Sequence, residues 1–182
     1  MAARPGLVGL AVHGCEVGAD GLRVLVEGGA FDRLAELTLH GVQLGDDAAK
    51  EWARRASSRC LRVLDLEEQY FDGNHAMAGE GLAALAEAGW LDGLESLVLS
   101  YHRFAGDPLV RVLARADLTK LRFLRLWCTG TEPADAERLR AARATRLEAL
   151  EHLEVMYSQL GDAEESKLGR ELTSERVRAW LR

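Results

Sequence analysis

Apolar residues recur along this chain in one six-residue pattern, Leu-x-x-Leu-x-Leu, repeated six times. The copies are Leu7-Leu10-Val12, Leu34-Leu37-Leu39, Leu61-Leu64-Leu66, Leu94-Leu97-Leu99, Leu121-Leu124-Leu126 and Leu150-Leu153-Val155. Their first residues stand 27, 27, 33, 27 and 29 positions apart. With the first leucine of a copy as position zero, positions three and five obey the period of two of a strand with one buried face. A second pattern with helical spacing follows each strand. It is clear in Leu22-Leu25-Val26, Leu82-Leu85 and Leu109-Val112-Leu113, and thinner in Ala49-Trp52-Ala53, Ala136-Leu139 and Leu168-Leu172. Each unit therefore predicts a short strand, a turn, a helix and a return loop. Self-similarity at this period marks a solenoid, whose units bury their apolar sides only against neighbouring units.

Local signals sharpen the element ends. Asp107-Pro108 reads as an N-cap with proline in the first turn, and Pro133 belongs in a first turn as well. Asp162 with Glu165 three residues on predicts a capping box. Gly28-Gly29 and Gly89 read as helix stops. Position ten is apolar in Val17, Leu44, Phe71, Phe104 and Leu160, with Thr131 the exception. Position eight is Cys15, Val42, Gln69, His102, Thr129 and Ser158. Cys, Gln, Thr and Ser can bond to the turn backbone there, whereas Val42 cannot and His102 is a poor candidate.

These framework residues carry a resemblance. The chain resembles leucine-rich repeat proteins of the ribonuclease-inhibitor-like type over roughly residues 5 to 172. The fold implied is α/β, a leucine-rich repeat solenoid with a curved parallel sheet on the concave side and helices on the convex side. One domain spans residues 1–182, with repeats starting near 7, 34, 61, 94, 121 and 150 and a C-terminal capping helix over 173–182. Val177, Trp180 and Leu181 would cover the last coil, while nothing comparable precedes the first. The first edge therefore suggests a truncated chain, a dimer edge or a frayed coil. Members of the family bind proteins, activate GTPases or serve as sensor domains, so the framework is nearly silent on function.

Alternation also names the outward face. Position two holds Gly9, Glu36, Val63, Ser96, Phe123 and His152; position four holds Ala11, Thr38, Asp65, Val98, Arg125 and Glu154; position six holds His13, His40, Glu67, Ser100, Trp127 and Met156. Position seven, at the rim, adds Glu68, Tyr101, Cys128 and Tyr157. Two zones follow. One is acidic, from Glu36, Asp65, Glu67 and Glu68. The other sets Tyr101, Phe123, Trp127, Met156 and Tyr157 around Arg125. Aromatic residues, methionine and arginine together have the composition of protein-binding hot spots. The expected partner-binding residues are therefore Glu36, Asp65, Glu67, Tyr101, Phe123, Arg125, Trp127, Met156 and Tyr157. Residues 72–80, where the third repeat is longest, are Gly-rich and polar, and read either as a binding loop or as a tolerated insertion.

Composition narrows the classes. A net charge of −6 disfavours general affinity for nucleic acid or an anionic membrane. No apolar run approaches the roughly 18 residues of a membrane span. Residues 4–15 faintly resemble a lipoprotein signal, but the same residues complete the first repeat. Cys15, Cys60 and Cys128 lie in different repeats and read as free thiols of a reducing compartment, so a cytoplasmic location is expected. Abundant Arg, Ala, Gly and Leu with little Lys points to a GC-rich, bacterial genome.

Catalytic and metal readings are weaker. His13, His40 and Glu67 share one position on adjacent strands, but a straight row with about 4.8 Å spacing converges poorly on an ion. Cys128 with His102 or His152 lacks a nucleophile elbow or glycine cradle. Arg103 matches a GTPase-activating arginine only by position. Arg138, Arg140, Arg143 and Arg146 follow acidic residues on one helix, as the helix dipole favours, and read as a solvated face. The sequence thus points to a non-enzymatic module, without cofactor or metal, that binds a protein partner through its concave face as a monomer or part of a larger chain. The alternative is a regulatory or sensor segment of a larger protein, such as a GTPase-activating one.

Overall fold

The computed structural model describes residues 7–29, 31, 33–55, 60–68, 76–104 and 107–173. Strands and helices alternate along the chain: β1 (Gly9–His13), α1 (Gly18–Glu27), β2 (Glu36–His40), α2 (Asp46–Arg55), β3 (Val63–Asp65), α3 (Glu80–Glu87), β4 (Ser96–Val98), α4 (Asp107–Arg115), β5 (Phe123–Trp127), α5 (Pro133–Arg143), β6 (His152–Met156) and α6 (Asp162–Leu172). The six strands form one parallel sheet in chain order. Parallel neighbours linked by helical crossovers are the arrangement a stack of strand–helix units must adopt, and it fits a leucine-rich-repeat-type solenoid.

The register is the one the leucines require. Leu10, Leu37, Leu64, Leu97, Leu124 and Leu153 pair in a single row across the sheet. From Leu37 onward this row is buried, as are Leu39, Leu66, Leu99, Leu126 and Val155 two residues on. The backbone repeats with the side chains. Each position-one carbonyl, at Val8, Ala35, Arg62, Glu95 and Arg122, accepts two N–H groups from the next coil at 2.8–3.1 Å. The N–H groups of Gly14, Gly41, Glu68, Tyr101 and Cys128 each donate to the position-six carbonyl of the next coil.

The helices close the core on the other side. Leu22, Val26, Leu82, Leu85, Leu109, Val112, Leu113, Leu139, Leu168 and Leu172 are buried. A further anchor lies three residues before the second, fourth, fifth and sixth copies: Phe31, Leu91, Leu118 and Leu147 are all buried. Phe31 also packs with Trp52 and Trp90, at ring separations of 5.6 and 5.9 Å, and the two indoles lie 4.6 Å apart. The hexapeptide pattern misses this anchor because it sits in the return loop. The first coil is the exception to burial: Leu7 and Val8 are exposed, and Leu10 and Val12 are only partly covered.

One expected helix start differs. The residue preceding α6 as its cap is Gly161, at φ 78°, and Asp162 is already helical. Glu165 does not complete a capping box; it is buried and its carboxylate accepts the Ser158 N–H at 2.5 Å. The strand-to-helix turn needs an acceptor more than the helix start does. At α5, by contrast, Pro133 opens the helix and Asp135 accepts the Glu132 N–H at 3.1 Å. Gly29 and Gly89 take positive φ just past their helices, as stops should. The capping helix over 173–182 lies outside the described residues after Thr173, as do residues 72–75 of the long loop and Gln69 and Phe71. Among the described residues, no helix is long and apolar enough to cross a membrane.

Candidate functional site: the concave sheet

Strand alternation places the position-two, -four and -six side chains opposite the leucine row. On β5 and β6 they close into a ring of contacts. The Arg125 guanidinium donates through Nε to Glu154 Oε2 at 2.7 Å. Its Cζ lies 4.4 Å from the Trp127 ring centroid and 5.5 Å from that of Phe123. Phe123 stacks on His152 with centroids 5.5 Å apart, and His152 Nε2 is 3.0 Å from Glu154 Oε1. Cation–π contact and a charge-assisted bond hold Arg125 in one orientation. Phe123 and Trp127 are half-buried by this packing, while Met156 and Tyr157 stand exposed at 40% and 69%.

The acidic zone is smaller than expected. Glu36 is exposed and Glu67 half-buried. Asp65 Oδ1 lies 2.9 Å from His40 Nε2, a close polar contact without hydrogen-bond alignment. Glu68, expected at the rim, is buried, and its Oε2 accepts the Gln43 N–H at 3.1 Å. It therefore belongs to the turn scaffold. Between the two zones, Val98 and Ser100 face the concave side yet are buried, flanked by Asp65 and Glu67 on one side and by Arg125 and Trp127 on the other.

The rim has its own signature. Gly14 and Gly41 adopt positive φ, and so do Tyr101, Cys128 and Tyr157, at 63°, 53° and 54°. Every described position-seven residue except Glu68 is thus left-handed. Bulky side chains there cost about 1 kcal/mol or more each relative to glycine. Burial, together with Cys128, Glu67 and Tyr157, pushes the Tyr101 phenol above its ordinary pKa.

The turn beneath the rim corrects the reading of His102. Its imidazole is fully buried; Nδ1 accepts the Met77 N–H at 3.1 Å and Nε2 donates to the Leu66 carbonyl at 2.5 Å. It does the work of an Asn at this position, bridging two segments the turn must hold. Burial pushes its pKa down to about 4. Thr129 and Thr131 hydroxyls bond each other at 2.8 Å, which satisfies the one polar residue at position ten.

The alternatives can be placed as well. His13 and His40 meet edge to face at 4.8 Å, but among the described residues no three His, Cys, Asp or Glu side chains converge to hold an ion. Both nitrogens of His102 are engaged by backbone, and burial and Glu165 push the Cys128 thiol up, away from an activated thiolate. All three cysteines are free. The basic run on α5 is not a bare solvated face. Arg140 binds Glu137, Glu164 and Glu171 at 2.6–2.7 Å, Arg138 binds Asp135, Arg143 donates to the Leu147 and Glu148 carbonyls, and Arg146 donates to the Ala116 carbonyl. The bonds from Arg140 to Glu164 and Glu171 and from Arg146 to the Ala116 carbonyl fasten neighbouring coils together, while the others stay within the coil.

All nine expected partner-binding residues thus lie on the concave side or its rim. Alternation alone puts His152 and Glu154 on the concave face but does not identify them as the partners that orient Phe123 and Arg125. Only their cross-strand placement reveals that role. No family model matches the chain, and no curated protein matches it. Among solved structures it is similar to the tropomodulin C-terminal domain of Caenorhabditis elegans, at 14% identity and a TM-score of 0.44, over 97% of this chain and 89% of that chain. The solenoid assignment rests on the strand register and helix placement of the chain itself.

Proposed function

We propose that this chain is a non-enzymatic interaction module of the ribonuclease-inhibitor-like leucine-rich repeat type, which binds a protein partner through its concave face. The observation that carries the reading is the patch on β5, β6 and their rim. Met156 and Tyr157 are exposed, Trp127 and Phe123 are half-exposed beside them, and Arg125 is held rigid in their midst. Rigid aromatic anchors lose little conformational entropy on binding, so such a patch is suited to supply affinity. Left-handed Tyr101 and Tyr157, where earlier repeats use glycine, support the same reading, since backbone strain tends to persist where a side chain is used.

The test is capture of partners from source-cell lysate by wild type and by Trp127→Ala and Tyr157→Ala variants, compared by quantitative mass spectrometry. Both variants must first show wild-type circular dichroism and melting. The expectation is a loss of at least tenfold in the specifically captured protein. Equal capture by wild type and both folded variants would remove the concave patch as the site.

A further inference from the structure

The two ends of the solenoid are unlike. At the last coil, α6 leans over the outer edge of β6: Thr173 Oγ1 accepts the Leu153 N–H at 3.2 Å, and a Cβ on Gly169 would stand 3.4 Å from the Leu153 carbonyl oxygen. The rest of that edge lies in a groove walled by Asp162, Glu165 and Arg170 of α6. The first coil has no such cover among the described residues. Leu7, Val8 and Val24 are 45%, 64% and 65% exposed, so its apolar surface is open in both the strand and the helix layer. On β1 the odd positions turn their backbone groups toward β2, as Val8 and Gly14 do, so the N–H and C=O groups of Gly9, Ala11 and His13 point outward. The His13 carbonyl also takes the Cys15 thiol at 3.2 Å and keeps a second lone pair. β1 carries none of the Lys, Glu or Pro residues that guard an edge strand. On α1, Leu22 and Val26 face the core, while Asp20 and Arg23 face α2 across a groove. Helical geometry then turns Val24 and Leu25 away from α2.

We propose that β1 pairs antiparallel with β1 of a second copy of this chain, forming a symmetric dimer through the first coil. Pairing about Ala11 makes the edge complementary to itself. Ala11 then faces the partner's Ala11, and Gly9 faces the partner's His13. These are the residues whose backbone groups point outward, so each N–H meets a carbonyl. Leu10 comes opposite the partner's Val12 on the core side, where both are only partly covered in the single chain. The concave side is complementary as well. A Cβ on Gly9 would lie 3.8 Å from Glu36 Oε2, so this carboxylate stands beside the space that Gly9 leaves empty. A rotamer change from its edge-to-face rest on His40 lets the partner's His13 imidazole donate to Glu36 through that space. An extended peptide would cover β1 alone. A second copy also brings its own α1 against Val24 and Leu25, so both open layers are closed. The surface covered matches one more coil-to-coil junction, strand and helix together. Head-to-tail stacking is disfavoured, since the Leu153 N–H is already taken and α6 overhangs β6. The β5–β6 patches stay free at opposite ends of the joined sheet, on the same side of it.

The experiment is sedimentation equilibrium on the full chain. A symmetric dimer doubles the 20.0 kDa mass and goes no further. Ala11→Glu sets two carboxylates against each other at the axis, and is expected to weaken dimerisation tenfold or more. Ala11 is exposed, so the variant keeps the fold, which circular dichroism checks. Ala11→Cys in a Cys15→Ser background then locates the contact. Paired Cα atoms across the axis stand about 5.5 Å apart, within disulfide reach, so oxidised glutathione should join two copies through residue 11, as peptide mass mapping would show. Should Ala11→Glu fail to fold, this crosslink decides alone. A chain that stays monomeric across the micromolar range would overturn the inference, and so would an open series of higher masses. A dimer unmoved by folded Ala11→Glu, or one that does not crosslink at residue 11, would overturn it as well. Each of these outcomes leaves the concave-face reading standing.

Discussion

His102 makes the stability of this solenoid depend on pH. The imidazole is sealed under the turn that follows β4, with Nδ1 accepting from Met77 N–H and Nε2 donating to the Leu66 carbonyl. Protonation would put a hydrogen on Nδ1, which would then face the Met77 amide donor in a site closed to solvent. The folded-state pKa is therefore lowered from 6.5 to about 4, with burial the main cause and the bond to Leu66 partly opposing it. Between those values the unfolded chain binds the proton and the folded chain does not. The contribution is fully present above the unfolded pKa of 6.5 and is lost as pH falls toward about 4. The gap corresponds to about 3 kcal/mol in full, of which about 2 kcal/mol disappears between pH 7 and pH 5. The assay is urea denaturation followed by circular dichroism at half-unit steps from pH 7 to pH 5. His102→Asn serves as the control, because an amide can replace both backbone bonds without titrating. The variant is expected to start less stable, from imperfect fit, but to show a slope flatter by about 2 kcal/mol across that range. The reasoning is refuted if the two slopes coincide, or if NMR shows the wild-type His102 imidazole titrating near 6.5.

Two further outcomes follow from the packing. Leu97 pairs with Leu64 and Leu124 in the middle of the sheet and is almost fully buried, so Leu97→Ala should cost about 2–5 kcal/mol in denaturant unfolding; an unchanged midpoint would contradict the register. Tyr157 holds a φ of 54° while its side chain is 69% exposed, so Tyr157→Gly should relieve strain at little packing cost, raising unfolding free energy by about 0.5–1 kcal/mol while weakening partner capture. A destabilised Tyr157→Gly would show that the rim tyrosine is held by packing.

Periodicity alone was enough to set the stack. A leucine three residues after another in an extended segment, with a third two residues later, can bury its side chains only if the segment lies in a sheet with helices on one side. Repetition every 27–33 residues then forces parallel strands in register, as Leu37, Leu64, Leu97, Leu124 and Leu153 show. The outward set, from Glu36 to Tyr157, was legible for the same reason, since alternation depends only on local backbone geometry. Pairing between coils was not legible. Whether Glu68 faces solvent or caps the Gln43 N–H, and whether Glu165 caps a helix or a turn, depends on groups brought close by stacking. His102 likewise became a buried bridge because Leu66 and Met77, some 25–36 residues before it, converge on its ring. Arg125 gained its fixed orientation from Glu154 on the next strand, 29 residues later. Side-chain direction is a local property of the chain, whereas burial and bonding partners arise only once neighbouring coils meet.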